Sequence, residues 1–136
     1  MDDAREPVGR AGDVPGGGVV SATRIGLQAA LARIREERAI VLGACHQLAD
    51  SLRTGTTQDG LTAVARICVA LFIIDDLVGF LSRAAERGRE LEEARDVRES
   101  LLGQASPWLA AAVRDLPGSD ALLRVFVGVA AGKAGR

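Results

Sequence analysis

Aromatic residues, histidine, cysteine and lysine are all scarce in this chain of 136 residues. Aromatic residues make up 3% of the chain, and tyrosine and asparagine are absent. The single histidine, His46, excludes a multi-histidine metal site. The two cysteines, Cys45 and Cys68, are too few for a disulfide framework and lack metal-ligand spacing. We therefore expect an aliphatic core, two free thiols, no metal and no cofactor.

The chain also lacks an excess of charge of either sign. The chain has 17 basic and 18 acidic residues, which gives a net charge of -1. This balance offers no electrostatic footprint for nucleic acid or for an anionic membrane, so neither partner is expected. The N-terminal sequence MDDAREPVGRAG has no apolar segment typical of a secretion signal. We expect a cytoplasmic protein, and the bias toward Arg, Ala and Gly suggests a bacterial source.

The most apolar stretch is Ile67–Leu81, ICVALFIIDDLVGFL, which is interrupted only by Asp75 and Asp76. A membrane span needs about 20 apolar residues without central charges, so this shorter stretch is not expected to cross a membrane. A helix that is apolar on most of its circumference must otherwise be covered by protein. The stretch therefore predicts a helix that is covered by other helices or by a second copy of the chain.

Periodicity and turn signals predict one all-α domain, a bundle of four or five helices built on a long antiparallel helical hairpin. Residues 1–20 contain Pro7, Pro15 and three consecutive glycines, and predict a disordered tail. The bundle is expected over 21–131, with a frayed C-terminus at 132–136. The predicted helices cover residues 21–53, 57–87, 89–102, 106–116 and 119–130. The residues expected to separate them are Gly55, Gly88, Gly103 and Pro117-Gly118.

The first two predicted helices are joined by a short turn, which makes them antiparallel neighbours. Position n of the first then faces about position 113 minus n of the second. This register places Cys45 opposite Cys68 and Arg38 opposite Asp75. Arg38 and Asp75 interrupt two apolar stripes in the same layer, so the sequence predicts a buried or half-buried ion pair between them. If this pair is fully buried, removal of one partner is expected to lower the folding stability by about 3–5 kcal/mol.

Two short segments are similar to known motifs. Asp75-Asp76 after an apolar run resembles the first aspartate-rich motif of class I terpene synthases, in which carboxylates on one helix face hold magnesium-diphosphate. That motif requires a further acid where this chain has Gly79. Asp50-Ser51-Leu52 resembles the phosphopantetheine attachment motif of acyl carrier proteins, but it lies in the last turns of a predicted helix. Neither resemblance outweighs the interpretation of these residues as structural.

Two functions remain open from the sequence. The first is a small helical interaction module, such as an adaptor, a chaperone-like protein or a regulatory subunit. It would be a homodimer with a possible protein partner, and its interface would include Phe72, Ile73, Phe80 and Trp108. The second is a small-molecule binding protein or small enzyme, with a site in the bundle or dimer interior formed by Arg38, Asp75 and Asp76.

Overall fold

The computed structural model describes residues 15–84 and 88–134, and the side chains of 24–84 and 88–128. Over these residues the chain forms four helices and no strand, so the predicted all-α class is confirmed. The helices are α1 (Pro15–Thr54), α2 (Thr57–Ala84), α3 (Arg89–Asp115) and α4 (Ser119–Ala134). Within the described residues, no helix carries a stretch that is both long and apolar enough to span a membrane.

The first helix begins earlier than predicted. It starts at Pro15, six residues before the expected start at Ser21, and a proline suits the first position of a helix because its missing N–H would have no partner there. Residues 1–14 of the expected tail lie outside the described residues. The helix ends where predicted, because Gly55 adopts a φ of 76° and its N–H donates to the carbonyl of Ser51 at 2.8 Å.

The prediction of two short helices over 89–102 and 106–116 is wrong, because α3 runs through both without a break. Gly103 and Pro107 lie inside the helix, although each weakens a helix locally. The reason is tertiary: the buried residues of α3 continue at helical spacing across the expected break. These residues are Leu91, Ala94, Leu101, Ala105 and Ala112. Four helices therefore replace the expected four or five.

The two later boundaries also differ from the sequence prediction. The second helix ends at Ala84, and the expected end at Arg87 lies outside the described residues. The last helix continues to Ala134, four residues beyond the expected end at Ala130.

The core is aliphatic, as the shortage of aromatic residues predicts. Its largest fully buried side chains come from α1, α2 and α3, namely Ile34, Val41, Leu48, Val64, Ile67, Ile74, Leu81 and Leu101. The link between α1 and α2 is only two residues long, Gly55 and Thr56. Beyond this link Gly60 meets Ser51, and a Cβ at Gly60 would lie 3.3 Å from the Ser51 Cβ.

Exposed ion pairs join α3 to both of the preceding helices. Arg35 Nη2 of α1 lies 2.7 Å from Glu93 Oε2, and Asp75 Oδ1 of α2 lies 3.0 Å from Arg98 Nη1. The loop after α3 returns the chain to α2, where Leu116 packs against Gly60. The last helix then lies beside α2 and α3, with Leu122, Leu123 and Phe126 packed partly against the core.

Candidate functional site

An apolar groove of about 530 Å³ lies between α2, α3 and α4. Each of the three helices is amphipathic and contributes apolar side chains to the groove. These side chains remain accessible because α4 covers α2 and α3 incompletely. The groove is lined by Cys68, Leu71, Phe72, Leu102, Leu123, Phe126 and Val127, together with Asp75 and Arg98. A concave apolar surface with a few polar groups at one edge is the usual form of a binding site.

The predicted ion pair between Arg38 and Asp75 is wrong. Asp75 Oδ1 instead accepts a hydrogen bond from Arg98 Nη1 at 3.0 Å, and Arg38 is exposed. The reason is that α3 lies against this side of α1 and α2, so that an arginine of α3 reaches the carboxylate. The Asp75 side chain is 56% exposed, and an exposed pair of this kind contributes about 0–1 kcal/mol.

A polar pocket of about 280 Å³ adjoins the apolar groove and shares Asp75 and Arg98 with it. Asp76, Arg83 and Arg95 also line this pocket. It therefore brings together three guanidinium groups and two carboxylates, an excess of one positive charge. Asp76 is exposed, as is Asp75, so the two predicted acids lie at a surface and not in an enclosed cavity.

The predicted interface residues separate into three places. Phe72 is half-buried and belongs to the apolar groove. Ile73 is half-buried and Phe80 is 41% exposed, both on a different side of α2. Trp108 is 39% exposed and lies in a small pocket of about 170 Å³ between α1 and α3, beside His46 and Cys45. His46 is exposed.

We call the side of α2 that is directed away from its core residues the outer stripe. Its members recur at alternating spacings of four and three residues, which keeps them on one helix face. They are Thr62, Arg66, Val69, Ile73, Asp76 and Phe80. Val69 is 45% exposed and Phe80 41%, so the apolar part of the outer stripe is only partly covered by the described residues.

Both cysteines are free and buried. Burial in apolar surroundings raises the pKa of the Cys68 thiol from 9.0 to about 11, and burial also raises the pKa of Cys45. Neither thiol is thereby activated as a nucleophile, since the thiolate is the reactive form. Among the described residues, no three His, Cys, Asp or Glu side chains are grouped so that they could hold a metal ion.

Sequence reasoning missed the arginines of the site, above all Arg98. A signal was present: Arg98 lies four residues after Ala94 and three before Leu101, both fully buried, so it interrupts the core stripe of α3. Arg95 carries no such signal, because its place beside Asp76 depends on how α3 docks against α2. Arg83 lies on α2 itself, two turns after Asp76, so helix spacing alone places these two residues on one face.

No protein-family model, curated protein or solved structure matches the chain. A function can therefore be argued only from the surfaces of this chain.

Proposed function

We propose that this protein is a small helical interaction module that associates with itself through the outer stripe of α2. The observation that carries the proposal is the partial exposure of Val69, Ile73 and Phe80 at regular helical spacing. Single exposed apolar residues are normal on a protein surface. A line of them on the helix that also supplies much of the core is typical of a surface that another helix covers.

The architecture that we infer for this module is a long antiparallel hairpin of α1 and α2, with α3 and α4 packed on one side. The two-residue link and the contact between Ser51 and Gly60 support this arrangement. The hydrogen bond from Arg66 Nη1 to Gln47 Oε1, at 2.9 Å, also supports this arrangement. The predicted register places position n of the first helix opposite position 113 minus n of the second, which makes Gln47 and Arg66 opposite each other.

This arrangement leaves the outer stripe available. The residues of α2 that lie beside α3, α4 or the loop between them include Gly60, Leu61, Cys68, Leu71, Phe72, Asp75 and Asp76. Of these, only Asp76 belongs to the outer stripe, at the edge that adjoins Arg95 and Arg98, and none is an apolar member of the stripe. The later helices thus cover one of the two apolar faces of α2, and a second copy of the chain would cover the other.

Sedimentation velocity over a range of protein concentrations tests the proposal. We expect a reversible dimer, and we expect Ile73→Glu to be a monomer with the same helical circular dichroism as the wild type. Val125→Glu is the matched control, because Val125 is 63% exposed on α4, away from the outer stripe. A wild type that stays monomeric at about 100 µM, or equal dissociation in both variants, would refute self-association through this surface.

A second candidate function is the binding of a small molecule in the apolar groove. The Asp75–Arg98 pair favours it, because this pair places a polar group at the edge of an apolar surface large enough for a ligand. Native mass spectrometry of protein purified gently from its own host tests it. A reproducible small adduct that is lost in Asp75→Ala and kept in Ile73→Glu would support the groove, whereas bare protein masses would count against it.

A further inference from the structure

We propose that the apolar groove and the polar pocket form one site for an amphiphilic monocarboxylate, such as a fatty acid. The hydrocarbon chain lies in the groove, and the carboxylate lies against the arginines of the pocket. This inference rests on the second candidate function, because it names the class of small molecule that the groove takes. It is independent of self-association through the outer stripe.

The two cavities meet at Asp75 and Arg98, which line both of them. Beyond this pair, the groove is lined by aliphatic and aromatic side chains and one cysteine, whereas most side chains of the pocket are charged. A change from apolar to charged lining at one boundary fits a ligand with an apolar chain and one charged end. The groove volume of about 530 Å³ falls within the range of about 300–1,000 Å³ that is usual for ligand pockets.

The arginines of the polar pocket come from two helices. Arg95 and Arg98 are three residues apart on α3 and therefore share a helix face. Arg83 lies on α2, where a Cβ at Gly79 would lie 3.3 Å from Arg83 Nη1. The glycine thus leaves room for this guanidinium beside the helix backbone, within the pocket. A planar guanidinium presents paired N–H donors in a geometry that fits a carboxylate.

The two acids of the pocket keep their partners in the proposed site. Asp75 accepts a hydrogen bond from Arg98 Nη1 at 3.0 Å, and Asp76 also has an interaction within its own chain. Arg83 and Arg95 form no ion pair with a carboxylate of the described residues. The carboxylate of the ligand is therefore placed at Arg83 and Arg95, with Arg98 held by Asp75 at the boundary with the groove.

The charge of the pocket favours a ligand with one negative charge. Three arginines and two aspartates line it, an excess of one positive charge. A monocarboxylate neutralises this excess. A dianionic group, such as a phosphate monoester, leaves an uncompensated negative charge beside Asp75 and Asp76, and like charges at close range are repulsive. A neutral amphiphile gains nothing from the arginines.

Isothermal titration calorimetry tests the site with probes kept below the concentrations at which they form micelles. Across octanoate, decanoate and dodecanoate, we expect the affinity to rise about threefold for each added methylene group that the groove covers. Dodecanoate should bind at least about tenfold more tightly than dodecan-1-ol, which has the same chain and no charge. Dodecyl phosphate should bind more weakly than dodecanoate.

Two charge-reversed variants and one groove variant separate the head group from the chain. R95E should weaken dodecanoate at least about tenfold and leave dodecan-1-ol unchanged within about threefold. R53E is the matched control, because Arg53 is also exposed but lies at the end of α1 and lines neither cavity. Val127→Asp should weaken both probes, since Val127 lines the groove and is 65% exposed. All three variants change exposed residues, so each should keep the helical circular dichroism of the wild type.

The outcomes distinguish this inference from the proposals on which it depends. Equal affinity for dodecanoate and dodecan-1-ol, or equal weakening by R95E and R53E, would overturn the carboxylate site and leave binding in the groove intact. Tighter binding of dodecyl phosphate would overturn the assignment to a monocarboxylate. If no probe binds, this inference fails, whereas the second candidate function still depends on the adduct in native mass spectrometry. Ile73→Glu should bind dodecanoate as the wild type does, because Ile73 lines neither cavity.

Discussion

The neighbouring residues Leu101 and Leu102 provide a stringent test of how α3 is placed. Leu101 is fully buried, whereas Leu102 is 45% exposed at the edge of the apolar groove. Leu101→Ala removes buried carbons and leaves a cavity, so we expect it to lower the free energy of unfolding by about 2–5 kcal/mol. Leu102→Ala loses about half of the transfer free energy and leaves no enclosed cavity, which corresponds to about 1 kcal/mol.

Urea denaturation followed by circular dichroism at 222 nm measures both values at one fixed protein concentration. With a slope of about 2 kcal/mol per molar urea, Leu101→Ala should lower the midpoint by about 1–2.5 M and Leu102→Ala by about 0.5 M. The change in helix propensity is the same at both positions and cancels in the comparison. Equal losses, or a larger loss at Leu102, would show that α3 presents a different face to the core.

Three further predictions concern the backbone and the thiols. Pro107→Ala should raise the free energy of unfolding by about 1–3 kcal/mol in the same urea assay, since it restores an N–H inside a continuous helix; a loss of stability would favour two separate helices. Gly43→Ala should stabilise by about 0.5–1 kcal/mol because a Cβ there meets nothing within 4 Å, whereas Gly60→Ala should destabilise because its Cβ would lie 2.7 Å from Leu116 Cδ2; changes of the same sign would contradict this packing. Because burial raises the pKa of Cys68 from 9.0 to about 11, its thiolate forms first in the unfolded chain, so the urea midpoint should fall as the pH rises from about 9 to 11. The fall should be smaller in Cys68→Ala, and an equal fall would contradict the prediction.

The helical core could be predicted from the sequence because its signal is local and repeated. Leu31, Ile34, Val41, Cys45 and Leu48 follow a heptad spacing, and all five are buried. Spacing of this kind depends only on helix geometry, which does not change with the arrangement of the other helices. The breaks in the second half were harder to predict, since Gly103 and Pro107 are breakers by local rules but are overridden by the buried stripe of α3.

The candidate site could be predicted only in part. Asp75 and Asp76 stand out in the sequence as acids within an apolar stretch, and both line the polar pocket. Their partner was predicted wrongly, because the hairpin register alone favours Arg38 and contains no information on where α3 docks. Arg98 becomes the partner only once α3 lies beside α2, and this docking depends on packing between segments that are distant in sequence.

The groove side and the outer stripe of α2 differ in how far the other helices of the chain cover them. The groove side is already partly filled by Leu123 and Phe126 of α4, so any further ligand there competes with or extends an existing contact. The apolar residues of the outer stripe are only partly covered by the described residues, and Arg66 and Asp76 divide them into short runs. Exposed charges within an apolar surface disfavour non-specific aggregation. Under the proposed self-association, the same charges would make the contact between two copies reversible, which would reconcile a helix that is apolar on two faces with exchange between free and paired states.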